Sequence, residues 1–251
     1  MRKKILFANW KMNKNINDSI SFIKKISKIF KTLKTNKIIF GIAPNFLALA
    51  EASKISKKIN IISQNVHFLD NGAYTGEISA KMLKNIGINY SIVGHSERRK
   101  YFNENNQTSN FKIKKLLSLN MIPIYCCGET LEIYKKNKIN NYIEKQIREG
   151  LSGIQKKNIK NIIIAYEPAQ AIGNGKNVDG NTANKICGFI RKIIKNIYDL
   201  KTSLDINIIY GGSVNEKNIK MYLNCQNIDG FLIGKASLKI NSLKKIILNV
   251  I

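Results

Sequence analysis

Short apolar runs alternate with longer segments of helical periodicity along the whole chain. An uninterrupted apolar run predicts a strand buried on both faces, and such strands belong to parallel sheets that helices cover. The predicted strands are 5–8, 38–43, 59–63, 90–93, 121–126, 162–166, 206–210 and 228–233. The predicted helices are 16–34, 45–57, 79–86, 105–119, 131–156, 180–199, 215–223 and 237–250.

Strict alternation of strand and helix gives parallel strands joined by right-handed crossovers. Eight such units in 251 residues predict an α/β fold with a closed, eight-stranded parallel (β/α)8 barrel. An open doubly wound sheet is the alternative, since alternation alone does not prove closure. No linker or change of composition divides the chain, so residues 1–251 are predicted to form a single barrel domain.

The chain is strongly basic, because 42 Lys and Arg residues outnumber 16 Asp and Glu residues and give a formal net charge of +26. A field of this sign favours anionic partners, either nucleic acid or a small phosphorylated molecule. The lysines of segment 16–34 interleave with apolar residues at helical spacing, which indicates the solvent face of an amphipathic helix. Because similar interleaving recurs elsewhere, no specific nucleic-acid partner is predicted.

The four cysteines, two of them adjacent at Cys126 and Cys127, match neither a disulfide framework nor a metal site. The first apolar run, 5–8, is too short for a signal peptide, and no run approaches the length of a membrane span. The sequence therefore predicts a reduced, cytoplasmic protein without a membrane partner.

Chemistry in such a barrel belongs at the carboxyl ends of the strands. The polar residues and glycines at the predicted strand ends are Asn9, Lys11, Gln64, Asn65, Gly94, His95, Ser96, Glu97, Gly128, Glu129, Glu167, Gly211, Gly212, Ser213, Gly234 and Lys235. Because the carboxyl ends of all eight strands meet at one rim, the sequence predicts an active site there.

Glu167 stands directly after the apolar run 162–166 and before Pro168, which lacks a ladder donor and stops the strand. Gly173 and Gly175 follow, and they give the next loop the conformational freedom of a lid. A carboxylate at the root of a lid is typical of a catalytic base. The alternative is an ordinary strand-to-helix loop in which Glu167 faces water.

The other polar residues at the strand ends have structural alternatives too. Lys11 either neutralises a phosphorylated substrate or is merely solvated. His95, one of two histidines, is either a catalyst or a satisfied structural residue. Glu97 either orients Lys11 across the barrel mouth or pairs with the two arginines that follow it. Cys126 is predicted to pack rather than react, because nothing in the sequence lowers its pKa.

Two Gly-rich turns, 211–213 and 234–235, each follow a strand and precede a helix. Main-chain N–H groups at a helix start bind phosphate readily, and barrels often place such a site after the last two strands. Gly173 is predicted to add a third donor. The segment 173–177 is not a Walker A loop, because Asn177 stands where Ser or Thr is required, so no nucleotide is implied.

Seven motifs follow one another from the first strand to the last helix. They are Asn9-Trp10-Lys11-Met12-Asn13, Gln64-Asn65, Gly72-Ala73-Tyr74-Thr75-Gly76-Glu77, Gly94-His95-Ser96-Glu97-Arg98-Arg99, Ala165-Tyr166-Glu167-Pro168, Tyr210-Gly211-Gly212-Ser213-Val214 and Gly230-Phe231-Leu232-Ile233-Gly234. Together these motifs resemble those of the triosephosphate isomerase family. The resemblance implies a TIM barrel that interconverts dihydroxyacetone phosphate and D-glyceraldehyde 3-phosphate, in glycolysis and gluconeogenesis, without a cofactor or a metal.

The resemblance also implies a role for each matched residue. Glu167 would remove the proton next to the carbonyl, and neutral His95 would act as electrophile toward the enediolate oxygens. Asn9 and Lys11 would hold the substrate and stabilise negative charge. The implied main-chain phosphate donors are Gly173, Ser213, Gly234 and Lys235, and the implied supporting residues are Glu97, Glu129, Tyr210 and Gly212.

The segment 64–77 resembles the dimer loop of the family. The resemblance implies a homodimer in which Thr75 enters the partner subunit near its active site.

Three positions depart from the family pattern. Ala169-Gln170 replaces the usual Val-Trp of the lid, and we expect the Gln170 amide to replace the indole as a hydrogen-bond donor near Glu129. Lys235 replaces a usual glycine, and its Cβ is expected to restrict the backbone there. Cys127 replaces a usual aliphatic residue.

Two other functions remain open from the sequence. One is another aldose-ketose isomerase of a phosphorylated sugar, although the short lid and the complete motif set favour a triose. The other is a basic binding protein that has kept the fold of an enzyme. The intact Lys11, His95 and Glu167 favour an active enzyme.

Overall fold

A computed structural model describes residues 2–33, 37–56, 58–168 and 177–251 of the chain. Within these ranges the strands form one closed barrel in which neighbours along the chain are neighbours in the sheet. The strands are β1 (Lys4–Asn9), β2 (Ile38–Ala43), β3 (Asn60–Ser63), β4 (Tyr90–Val93), β5 (Ile122–Cys127), β6 (Ile163–Tyr166), β7 (Asn207–Tyr210) and β8 (Gly230–Ile233).

Closure depends on the pairing of the first strand with the last. β1 and β8 run parallel, and Ala8 lies opposite Ile233. The other neighbouring strands also pair in parallel. The predicted parallel (β/α)8 barrel is therefore confirmed, and the open sheet is excluded because it would leave two edge strands.

Helices follow the strands on the outside of the barrel. Those of the described ranges are α1 (Ile16–Thr32), α2 (Leu49–Ile55), α3 (Ala80–Asn85), α4 (Ser96–Tyr101), α5 (Asn106–Ser118), α6 (Leu131–Lys135), α7 (Ile139–Gly150), α8 (Lys156–Ile159), α9 (Gly180–Ile197), α10 (Leu200–Asp205), α11 (Lys220–Leu223) and α12 (Ile240–Val250). Short 3-10 turns precede α2 and α12. None of the helices in these ranges is long and apolar enough to cross a membrane.

The predicted helix 131–156 is wrong as one element. It divides into α6 and α7, because Asn137 between them adopts a left-handed conformation with φ of 54°. Gly153, with φ of 70°, then separates α7 from the short α8. The sequence pattern also missed α4 and α10, since neither is long enough to show a helical period.

Two apolar layers hold the barrel together. Inward-facing residues such as Phe7, Ile124 and Leu232 fill its centre, and a larger layer packs the outer faces of the strands against the helices. Full burial of one such side chain contributes roughly 1.5–3 kcal/mol. The centre is thus a packed core, and the carboxyl rim of the strands is left as the place for a site.

Candidate active site

The closed barrel brings most of the predicted site residues to one rim. Asn9 ends β1, and Lys11 follows it. His95 lies between β4 and α4, and Glu167 directly follows β6. Ser213 and Gly234 follow β7 and β8. Gly173 and Ala169-Gln170 lie outside the described residues, so their predicted roles stay predictions.

Main-chain contacts fix the position of Glu167, independently of the contacts of its side chain. Its N–H donates to the carbonyl of Cys127, with 2.8 Å between N and O. A Cβ on Gly128 would lie 1.9 Å from the Glu167 carbonyl oxygen, so only glycine allows this approach of the two strand ends. The carboxylate therefore stands at a position set by β5 and β6 together.

The Glu167 carboxylate is buried, with 2% of the residue exposed, and both of its oxygens accept hydrogen bonds. Oε1 lies 3.0 Å from His95 Nε2, and Oε2 accepts the main-chain N–H of Ser96 at 2.9 Å. This geometry contradicts the alternative in which Glu167 faces water. The N–H of Ser96 is a contact that the sequence analysis missed, and its place directly after His95 at a helix start was the available signal.

The orientation of His95 fixes which nitrogen carries its proton. His95 caps the N-terminus of α4, where its Nδ1 accepts the N–H of Glu97 at 3.2 Å. An accepting Nδ1 places the proton of a neutral imidazole on Nε2. His95 therefore presents an N–H donor to the rim, and in this structure Glu167 accepts it.

Each member of the buried pair changes the pKa of the other. Burial lowers the pKa of His95, but the Glu167 carboxylate outweighs it, and the net pKa lies above the ordinary value. Burial likewise raises the pKa of Glu167, but His95 and the Ser96 N–H outweigh it, and the net pKa lies below the ordinary value. Glu167 is thus held as a carboxylate, the form that a base requires.

Lys11 has an unusual backbone that two neighbouring side chains stabilise. Its φ is 52°, in the left-handed region. Asn9 Oδ1 accepts its N–H at 3.0 Å, and Gln64 Nε2 donates to its carbonyl at 2.8 Å. Backbone strain of this kind clusters at functional sites. The sequence analysis placed Gln64 only at a strand end and in the dimer loop, and it missed this positioning contact.

The Lys11 side chain pairs with Glu97, with 2.6 Å between Nζ and Oε1. Of the two alternatives left open by the sequence, this contact supports the orientation of Lys11 by Glu97 rather than a local pair with the following arginines. Arg98 instead pairs with Glu104. The Arg99 Nε donates to the carbonyl of Gly94 at 2.7 Å, so Arg99 supports the loop that carries His95.

The turn after β7 is built around Tyr210. The Tyr210 ring is fully buried and stacks on Tyr222, with 4.7 Å between the ring centroids. A Cβ on Gly212 would lie 2.3 Å from the Tyr210 hydroxyl, so the turn requires glycine at this position. Gly211 N–H donates to the carbonyl of Tyr166 at 2.7 Å and joins this turn to the strand end that precedes Glu167.

The turn after β8 begins a helical turn, as predicted. Gly234 caps the 3-10 turn Lys235–Leu238. Lys235 is exposed, and its φ is not positive, so its Cβ imposes no left-handed strain on the backbone. A backbone in an allowed region agrees with the restriction expected from a side chain at this position.

Cys126 and Cys127 end β5, and Glu129 follows them. Glu129 is buried, and its Oε2 accepts the Tyr166 hydroxyl at 3.2 Å. Cys126 is fully buried in the barrel centre. Burial, with Glu167 adding to it, raises the pKa of the Cys126 thiol well above its ordinary value. Cys126 therefore packs rather than reacts, as predicted.

A closed parallel barrel with a carboxylate, an imidazole and an ammonium at its carboxyl rim defines a (β/α)8-barrel enzyme. In the described residues, no three His, Cys, Asp or Glu side chains are placed to hold a metal ion. The family model described as triosephosphate isomerase matches residues 4–250. The chain belongs to the triosephosphate isomerase family, which confirms the resemblance of the motifs, and it is an isomerase.

Relatives named triosephosphate isomerase match nearly the whole chain. The identity to the one from Dictyoglomus thermophilum is 47% over 249 residues, which cover 98% of this chain and 99% of the relative. The identity to the one from Clostridium botulinum strain Langeland is 41% over 249 residues, with the same coverage. The one from Mycoplasma capricolum is 45% identical over 241 residues, which are 96% of each chain.

Proposed function

We propose that the protein interconverts dihydroxyacetone phosphate and D-glyceraldehyde 3-phosphate through an enediolate, with Glu167 as the base and His95 as the electrophile. The observation that carries the proposal is the contact of 3.0 Å between Glu167 Oε1 and His95 Nε2 at the rim of the barrel. This contact places a carboxylate and a fixed N–H donor side by side, as proton transfer next to a carbonyl requires.

Substrate binding has to open this contact. The carbonyl oxygen of the substrate accepts a hydrogen bond from the Nε2–H of His95, so Glu167 Oε1 no longer accepts that hydrogen bond. Because His95 is one cause of the lowered pKa of Glu167, its loss makes the carboxylate a stronger base when the substrate is in place. Glu167 then takes the proton from one carbon and returns it to the next. The hydroxyl oxygen loses its proton and becomes the new carbonyl, and the former carbonyl oxygen gains a proton and becomes the new hydroxyl.

Negative charge builds on the substrate oxygens during this transfer. Once Glu167 has accepted the proton it is neutral and no longer raises the pKa of His95, so the imidazole donates through Nε2 in its neutral form and stabilises that charge. A fixed donor in a dry site contributes about two to three orders of magnitude in rate. The Lys11 ammonium, which donates to Glu97, lies at the same rim as His95. Asn9 keeps Lys11 in place by accepting its N–H. The positions of these groups support the roles proposed for them.

The phosphate of the substrate is proposed to bind the turns after β7 and β8. The donors are the main-chain N–H groups of Ser213, Gly234 and Lys235, and Gly173 is proposed by resemblance alone. The helical turn that starts at Lys235 supports this assignment, because main-chain N–H groups at such a start are available for an anion. Tyr210 and Gly212 support the turn through their close packing.

The described surface also supports a homodimer. Large apolar side chains are exposed after β1, β2 and β4: Met12 by 95%, Leu47 by 78% and Phe102 by 62%. These strands belong to the four consecutive strands β1 to β4 of the barrel, and the exposed loop 71–77 follows β3, the remaining one of the four. Exposed apolar surface on one side of a rim is typical of an interface. We propose that a second copy covers it.

Replacing Thr75 with arginine is expected to lower both dimerisation and activity, because the longer, charged side chain would not fit the partner site. Sedimentation velocity and an isomerase assay on the same sample measure the two effects. Thr32→Arg, at the exposed end of α1, is the matched control and should stay dimeric and active. An active monomer of Thr75→Arg would contradict the idea that each site is completed across the interface.

The proposed reaction is tested with the purified protein and D-glyceraldehyde 3-phosphate in heavy water. We expect rapid formation of dihydroxyacetone phosphate carrying deuterium at C1, because the enediolate is reprotonated there by a base that exchanges with solvent. Ribose 5-phosphate serves as the control substrate for a different aldose-ketose isomerase. Turnover of the pentose but not of the triose, or of neither, would overturn the proposal. The cytoplasmic location stays a prediction from the sequence.

A further inference from the structure

Lys235 occupies a particular place at the rim. It directly follows Gly234, where β8 has ended and the 3-10 turn begins. A Cβ built on Gly234 would lie 3.6 Å from Lys11 Cε. The end of the Lys11 side chain therefore passes the backbone of Gly234, one residue before Lys235. Two lysines thus stand close to the same turn.

The two lysines differ in their partners. The Lys11 ammonium lies 2.6 Å from Glu97 Oε1, so part of its charge is neutralised within the protein. The side chain of Lys235 makes no hydrogen bond or ion pair with another residue of the described ranges. Its exposed side chain is free to turn toward an anion at Gly234. Lys235 therefore offers the rim a positive charge that Glu97 does not offset.

We propose that the Lys235 ammonium is a side-chain contact for the substrate phosphate, in addition to the main-chain N–H groups of the same turn. The inference rests on the proposed function and deepens it by adding a residue that determines affinity. Main-chain N–H groups bind through short-range dipoles, whereas an ammonium acts as a point charge over a longer distance. The contribution of this exposed lysine is therefore sensitive to salt.

The test compares Lys235→Met with the wild-type dimer at constant pH. The KM for D-glyceraldehyde 3-phosphate and the inhibition constant of inorganic phosphate should each rise by about 1.5-fold to fivefold, the range of an exposed ion pair. The value of kcat should stay the same, because the phosphate lies away from the reacting carbons. Lys235→Arg should restore both constants toward wild type.

Ionic strength separates a charge effect from a change of shape. The difference between wild type and Lys235→Met should be largest at about 0.01 M salt, where the Debye length is about 30 Å, and shrink at about 0.15 M, where it is about 8 Å. Lys239→Met is the matched control, because Lys239 is also exposed and lies four residues further along the chain. That control should keep wild-type constants at both salt concentrations.

The outcomes distinguish this inference from the proposed function. An unchanged KM and an unchanged inhibition constant in Lys235→Met would overturn the inference while the reaction stands. A fall in kcat alone would also overturn it. A wild-type protein without isomerase activity would overturn the proposed function. Titration of wild type and Lys235→Met with inorganic phosphate, followed by 31P NMR, would then still test the inference: equal affinities overturn it and weaker binding by the variant supports it.

Discussion

Replacing Glu167 with glutamine is expected to lower kcat by about two to four orders of magnitude, the contribution of a general base. Glutamine keeps the size of the side chain but cannot accept a proton from carbon. The KM should change little, because the carboxylate is proposed to contact the carbon that loses its proton rather than the phosphate. A coupled assay in the direction of dihydroxyacetone phosphate measures both constants.

The local geometry suggests a second variant for this test. Both oxygens of Glu167 accept from donors, His95 Nε2 and the Ser96 N–H, and a glutamine amide would turn its own N–H groups toward one of them. Glu167→Asp keeps two accepting oxygens but shortens their reach, so it should also lose kcat while it folds normally. Glu51→Gln, on the exposed face of α2, is the matched control and should keep full activity. A Glu167→Gln variant with more than about a tenth of wild-type kcat would exclude Glu167 as the base.

Replacing Lys112 with methionine is expected to lower the free energy of unfolding by about 3 kcal/mol, because it removes one partner of a buried ion pair. The side chains of Lys112 and Glu104 are only 5% and 6% exposed. Burial opposes the charge of Glu104, yet Lys112 and Arg98 hold the pKa of that carboxyl below its ordinary value. Without Lys112, Arg98 alone would compensate the charge, and Asn65 Oδ1 would lose its donor at 2.8 Å.

Chemical denaturation at a fixed protein concentration measures this loss. Lys136→Met is the matched control, because Lys136 pairs with Glu132 on the surface, where 57% and 72% of the two side chains are exposed. Exposed pairs contribute at most about 1 kcal/mol, so the control should lose little. Equal losses in the two variants would contradict the view that burial makes the Lys112 pair important.

The buried cluster around Lys112 also links the segments that position Lys11 and His95. Lys112 on α5 joins Asn65, which follows the positioning residue Gln64, to Glu104. Glu104 in turn pairs with Arg98 on α4, the helix that His95 caps. The supports of Lys11 and of His95 are thus connected beneath the rim. No spacing of charged residues in the sequence predicts such a cluster, since its members come from separate elements.

The strands were predictable because each one is covered on both faces and is therefore largely apolar. Their bounds agree with the structure to within two residues, the usual uncertainty of element ends. The helix predicted over 131–156 failed at Asn137, because a single left-handed residue ends a helix without changing the apolar period on either side. The period of apolar residues depends on which side chains are buried, so it does not show where the helical backbone is interrupted.

The sequence by itself determined the alternation of elements, the family and the list of candidate site residues, because burial patterns and local motifs depend only on neighbouring residues. Tertiary structure alone decided that β1 pairs with β8, and that His95 and Glu167 meet at 3.0 Å although 72 positions separate them along the chain. It also decided which nitrogen of His95 donates, and that Glu97 forms an ion pair with Lys11 rather than with an arginine. These contacts follow from closure of the barrel, which turns distant strand ends into neighbours, and no local pattern encodes their distances.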